Sequence, residues 1–160
     1  VLELLRGKRV VFVGDSIGRN QWESMLCMLT GGMQSERERE RVHEVNGEPI
    51  TKRKGFLAFR FPDHDNLTVE YYRSPYIVPR GSPPPGSPPN VSSTLKLDTM
   101  DWFSPKYVTA DFLVFNTDHW WTPQMIMQEY AFALNRPSTW SALPKPNKLM
   151  RRGLRMSLDR

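Results

Sequence analysis

The run Arg9-Val10-Val11-Phe12-Val13-Gly14-Asp15-Ser16 constrains this chain more than any other stretch. Four consecutive apolar residues, three of them Val, fit a buried strand. Gly-Asp-Ser then forms a turn. Ile17, Trp22, Met25, Leu26 and Leu29 follow at close to the spacing of one helix face, and Gly31-Gly32 stops that helix. Strand, turn and helix open an α/β unit with Ser16 at the strand's carboxyl end, the edge at which open α/β sheets bind ligands. At a helix start the backbone N–H groups point outward and the dipole favours negative charge, so a serine there is well placed for acyl transfer. Asp15 and Ser16 are equally suited to cap the helix. On the tripeptide alone, both roles stay open.

A second apolar run, Ala110 to Phe115, ends in Asn116-Thr117-Asp118-His119-Trp120-Trp121. It reads as another buried strand, and if it lies parallel beside the first, the two polar clusters face one edge. Between them, the β-prone stretches Phe56–Phe61 and Leu67–Tyr72 flank the turn formers Pro62 to Asn66, which predicts a β-hairpin. Glu36 to Arg41 alternates in sign and reads as a solvated, helical surface stretch; His43 beside it is a surface residue. His64 sits between two carboxylates on the hairpin's tip, where adjacent side chains rarely converge, so no metal site is expected. Pro79 to Ser93 holds six prolines and reads as an extended, mobile loop. Met125, Ile126, Met127, Tyr130 and Leu134 suggest a helix over 125–134. Residues 136–160, broken by prolines, are assigned no fold.

The 160 residues suffice for one domain with a core. No run of 18 apolar residues exists, so no transmembrane span is expected. Beginning at Val1 without a signal-like leader, the chain is expected to be an internal piece of a longer protein. The net charge of +5 is uneven: residues 1–122 hold 15 basic and 15 acidic side chains, and residues 123–160 hold seven and two. The basic tail lacks a base-reading motif, so nucleic acid is not an expected partner. Cys27 is the only cysteine, which excludes an internal disulfide; a buried helix cysteine is its simplest role. Two N-glycosylation sequons, at Asn66 and Asn90, suggest secretion.

Taken together, Val11 to Ser24 and Leu113 to Trp121 resemble the plant trichome-birefringence-like family. Glu44-Val45-Asn46-Gly47, Lys54-Gly55-Phe56 and Val69 to Pro75 add to the likeness, which covers roughly residues 1–122. These are polysaccharide O-acetyltransferases with an SGNH/GDSL-hydrolase-like domain. The resemblance implies a partial SGNH-like α/β domain with a mostly parallel sheet over 1–122, and a divergent, irregular basic tail over 123–160. It implies that Ser16 is the nucleophile carrying acetyl as an ester. The Gly14-Asp15 turn and the Ser16 N–H would shape the oxyanion site, with Asn116 supplying a side-chain amide donor. Arg19 would orient a donor or sugar, and Trp120 would be core or stack on a pyranose ring. The expected partner is a xylan-like polysaccharide. No cofactor is bound; the acetyl donor, for example acetyl-CoA, is a substrate. The expected location is the lumenal side of the Golgi membrane, through an upstream anchor.

Four departures from the family pattern stand out. Asp118 replaces a glycine before His-Trp-Trp, Leu67 stands at a frequent cysteine position, and the expected partner of Cys27 would lie upstream of Val1. The family's catalytic Asp-x-x-His is also missing: none of the eight aspartates has a histidine three positions later. Nothing in the sequence places His119 within reach of Ser16 as a substitute base. The chain alone is therefore expected to be nearly inactive. Alternative readings are a polysaccharide acetyl esterase, and a non-catalytic glycan-binding or truncated product.

Overall fold

A computed structural model describes residues 1–47, 55–87, 89, 91, 93–97 and 99–121, together with the backbone of 130–133. The elements in chain order are β1 (Arg9–Gly14), α1 (Ser16–Gly31), α2 (Glu36–Arg41), β2 (His43–Glu44), β3 (Phe56–Phe61), β4 (Leu67–Arg73), β5 (Arg80–Gly81), β6 (Ser93–Lys96), α3 (Ser104–Tyr107), β7 (Phe112–Asn116) and β8 (Tyr130–Ala133). Two compact units result. One holds Val1–Ile77 and Asp101–Thr117; the other holds Val78–Met100 and Asp118–Arg160.

The first unit is the α/β body, built on a five-stranded sheet in the order β2-β3-β4-β1-β7. β1 is central and runs parallel to both β4 and β7, while β3 pairs antiparallel with β4 as the expected hairpin. The hairpin turns through Asp65 and Asn66, both in left-handed conformation (φ 51° and 59°), which Asp and Asn tolerate better than most residues. Strand alternation splits β1 between two layers. Val10 and Phe12 join Trp22, Leu29, Leu57, Phe61, Leu67, Val69 and Tyr71 in the main core. Val11 and Val13 join Tyr72 and Tyr107 in a smaller core on the other face. Trp22, 1% exposed, anchors α1 by donating its indole N–H to the Val69 carbonyl at 3.0 Å. Burying a side chain of this size contributes about 2–3 kcal/mol.

The smaller core is closed at its rim by a polar network. Arg9 grips Glu70 in two parallel bonds (Nε–Oε1 2.6 Å, Nη2–Oε2 2.8 Å), and Tyr72 donates to Glu70 Oε2 at 2.9 Å. Arg9 also donates to the Thr109 hydroxyl and the Lys106 carbonyl, tying the sheet to the chain after α3. Glu70 raises the Arg9 pKa, chiefly through the hydrogen bond. Burial, and then the bond to Glu70, pushes the Tyr72 phenol up to about 12.

Several sequence expectations change. Cys27 is exposed, not buried: at 100° per residue it lies about 140° around α1 from Trp22, outside the buried stripe. His64 is buried in the 3-10 turn Pro62–His64, not on an exposed tip; neither ring nitrogen makes a hydrogen bond among the described residues, and Nδ1 lies 3.7 Å from Glu3 Oε1. Phe112 to Phe115 form a strand parallel to β1 as expected, yet they are 37–48% exposed instead of buried. β7 is the edge of the described sheet, with β1 as its one strand neighbour there.

The second unit contains the antiparallel pair β5–β6, and β6 also pairs parallel with β8. The two ends of the proline-rich segment, Arg80–Gly81 and Ser93, thus belong to paired strands. Gly86 at φ 85° and the Ser87 N–H bonded to the Pro84 carbonyl at 3.2 Å make a type II turn, with Pro85 and Gly86 central. Tyr130–Ala133 is a strand where a helix was expected. Tyr-Ala-Phe-Ala alternates with period two, the period of a strand. Residues 125–129 and 134, the other part of that expected helix, lie outside the described residues, as do Asn90 and 136–160. Among the described residues no helix is long and apolar enough to cross a membrane.

Candidate active site

The register of the parallel strands assembles the site. Gly14 pairs with Arg73 on one side and with Asn116 on the other, so three strand ends meet beside the start of α1. The approach is close: a Cβ on Gly14 would stand 1.9 Å from the Asn116 carbonyl oxygen, so only glycine fits. Asp15 N–H donates to that same oxygen at 3.2 Å. At the first turn of α1, a Cβ on Gly18 would lie 3.5 Å from Asn116 Cβ.

Asp15 is the helix cap. Its backbone is extended, and its Oδ1 accepts from the N–H groups of Ile17 (2.8 Å) and Gly18 (3.4 Å). The Asp15 carbonyl accepts from Arg19 N–H at 3.1 Å. Of the first four N–H groups of α1, that of Ser16 has no partner among the described residues. The Ser16 hydroxyl is likewise uncommitted there, and the side chain is exposed. Of the two residues that the sequence offers as a cap, Asp15 takes that role. Asp15 itself is 1% exposed, and its Oδ2 has no partner among the described residues.

Tyr71 fixes the turn from below, a function that the sequence did not reveal. Its hydroxyl donates to the carbonyls of Asp15 (2.8 Å) and Gly14 (3.2 Å). Burial pushes its pKa up to about 12, so it remains a donor at any physiological pH. On the other flank, Ser74 N–H donates to the Gly14 carbonyl at 2.8 Å. The only sequence signal for Tyr71 was its place in an alternating strand.

Arg19 points its Nε at Glu23 Oε1 (2.8 Å), a pair one helical turn apart with the arginine side chain 16% exposed. Gly14, Asp15, Ser16, Arg19 and Asn116 all lie in the first unit. His119 and Trp120 belong to the second unit, in the 3-10 turn Asp118–Trp120, the histidine exposed and the tryptophan half-buried. Among the described residues no group of three His, Cys, Asp or Glu side chains is placed to hold a metal ion. Asn66, the first sequon, is exposed on the hairpin turn, where a glycan has room.

Ser16 is thus exposed at the start of α1, after the aspartate that caps the helix, at the strand edge where Gly14 pairs with Asn116. The sequence model of the GDSL/SGNH-like acyl-esterase family found in Pmr5 and Cas1p matches residues 1–158. The chain belongs to the PC-esterase family. Within it, the chain is similar to trichome birefringence-like 9 of Arabidopsis thaliana, 54% identical over 121 residues, which are 76% of this chain and 28% of that protein. It is 50% identical to the Arabidopsis thaliana protein trichome berefringence-like 7 over 128 residues, 80% of this chain and 28% of the relative. Xylan O-acetyltransferase 13 of Oryza sativa subsp. japonica is 37% identical over 123 residues, 77% of this chain and 22% of the relative. The chain thus matches less than a third of the length of these PC-esterase relatives.

Proposed function

We propose that the chain carries the nucleophile half of an O-acetyltransferase acting on a xylan-like wall polysaccharide. The observation that supports this most is the uncommitted Ser16 hydroxyl and N–H beside Asn116, in a chain similar to a xylan O-acetyltransferase. In the first half-reaction Ser16 Oγ attacks the carbonyl carbon of an acetyl donor, for which acetyl-CoA is one suitable chemistry. The Oγ proton passes to a base, and the oxyanion is stabilised by the Ser16 N–H and the Asn116 amide. The donor's leaving group departs with a proton and leaves acetyl-Ser16. In the second, a sugar hydroxyl attacks that ester, acetyl moves to the sugar oxygen, and Ser16 regains its proton. Arg19 is the group that orients the donor or sugar.

The base is the element these residues do not provide: no aspartate precedes a histidine by three positions. A serine hydroxyl without a base is a weak nucleophile, and the loss of triad members costs on the order of a millionfold in turnover in a serine hydrolase. These 160 residues alone are therefore nearly inactive. The test is incubation with an activated acetyl ester, followed by mass analysis of the peptide holding Ser16. The expected result is trace acetylation absent in Ser16→Ala; acetylation at enzyme-like rates would overturn the missing-base reading. The family's description as acyl-esterases favours hydrolysis as a second reading, with water replacing the sugar hydroxyl. Labelled acetyl appearing as free acetate, and not on the polysaccharide, would select it. The proposed setting is the Golgi lumen, and glycan attached to Asn66 in plant-expressed protein is the measurement that bears on it.

A further inference from the structure

Trp102 is 80% exposed and makes no hydrogen bond or ring contact among the described residues. The backbone that carries it is, by contrast, heavily fixed. Asp101, 4% exposed, accepts from Phe103 N–H at Oδ1 (2.7 Å) and from the Tyr107 hydroxyl at Oδ2 (3.1 Å). Its carbonyl accepts from Ser104 N–H at 3.0 Å, and its own N–H donates to the Ile77 carbonyl at 3.0 Å. Phe103, the next residue, turns inward onto Tyr72 with ring centroids 5.4 Å apart. The turn half-buries one aromatic ring and holds its neighbour out in water.

The backbone that receives this turn is strained. Ile77 adopts φ 60°, a conformation that a β-branched side chain strongly disfavours. Its N–H donates to the Ser74 carbonyl at 3.3 Å, and Ser74 N–H donates to Gly14. A continuous chain of hydrogen bonds thus runs from Gly14 through Ser74 and Ile77 to Asp101. It places the turn of Trp102 on the same carboxyl edge as Ser16, within roughly 16 Å of the Gly14 carbonyl as judged by the reach of each residue.

We infer that Trp102 is a stacking platform for the polysaccharide acceptor, laying its indole face against a sugar ring a few units along the chain from the hydroxyl that meets Ser16. The inference rests on the acceptor reading above and adds a subsite to it. A flat apolar face on the same strand edge as Ser16 suits a pyranose ring, whose axial C–H groups pack on an aromatic plane while its hydroxyls stay in water. Charge agrees: residues 1–122 hold 15 basic and 15 acidic side chains, a balance that suits a neutral polymer better than a charged one.

The test uses the whole chain with xylohexaose, xylose and insoluble xylan as probes. Trp102→Ala should weaken xylohexaose binding about tenfold, and Trp102→Phe should restore much of it. The thermal midpoint should not move, because the side chain is 80% exposed and makes no ring contact or hydrogen bond among the described residues. Xylohexaose should also protect Trp102 from oxidation, as read by peptide mass. Unchanged binding by Trp102→Ala would overturn the subsite and leave the acceptor reading standing. Failure of the wild-type chain to bind any of the probes would overturn the acceptor reading itself. A wild-type dimer that Trp102→Ala turns to monomer, with sugar binding unaltered, would assign the indole to self-association and refute the inference.

Discussion

β1 and β7 lie side by side, parallel, and are written in nearly the same language: Val-Val-Phe-Val in one, Phe-Leu-Val-Phe in the other. Val10 to Val13 are 0–7% exposed, whereas Phe112 to Phe115 are 37–48% exposed. Apolar composition specifies that a strand tolerates burial on both faces. Burial itself comes from neighbours, and β1 has two paired strands, α1 over one face and Tyr107 of α3 on the other. β7 has β1 alone among the described strands. Its apolar edge is of the kind that proteins ordinarily pair, cover or charge.

The contrast is broken most severely where the two strands touch. Gly14→Ala drives a methyl group into a backbone oxygen and should cost about 3 kcal/mol or more, read from the urea midpoint. A wild-type midpoint would mean that the β1–β7 junction is looser than described. Arg9→Ala strips the buried Glu70 of its cationic partner, leaving the Tyr72 hydroxyl bond, and should cost about 3 kcal/mol by the same measurement. Next come the two valines. Val11→Ala should cost about 2 kcal/mol and Val114→Ala well under 1 kcal/mol; equal losses would show that β7 is as buried in solution as β1.

Tyr71→Phe removes both bonds to the Gly14-Asp15 turn and should cost about 1 kcal/mol. The wild-type phenol should titrate near pH 12 by ultraviolet absorbance. Because its folded pKa lies above the ordinary 10, its stabilisation is complete below pH 10 and fades as pH climbs toward 12. The smallest effect belongs to Asp111, exposed beside Lys8 and held below the usual carboxylate range first by Arg9 N–H and then by Lys8. Its contribution is present above the ordinary carboxylate pKa and disappears on acidification. Asp111→Asn should therefore flatten only the acid limb of a stability–pH curve.

Local patterns were readable before any coordinates: the strand–turn–helix opening, the hairpin about Pro62 to Asn66, and the parallel pairing that sets Asn116 beside Gly14. Each depends on residues close in sequence or on a period. What escaped depends on long-range placement. The Tyr71 bonds to the Gly14-Asp15 turn join residues 56 and 57 apart in sequence. Tyr130–Ala133 was read with its flanking methionines as helical because four residues of period two are too short to outweigh a longer helical pattern. At the site, the sequence could not say which of Asp15 and Ser16 caps the helix, since both residue types suit that position; the Oδ1 bonds of Asp15 do.

The position of β1 also sets a timetable. Its residues are made before both of its partners: Val10 to Gly14 pair with strands about 60 and about 100 residues later in the chain. At a synthesis rate of roughly 5–20 residues per second, an apolar segment with no sheet neighbours waits several seconds on the ribosome before its second partner emerges. During that interval the stretch that later presents Ser16 is the part of the nascent chain most in need of a chaperone.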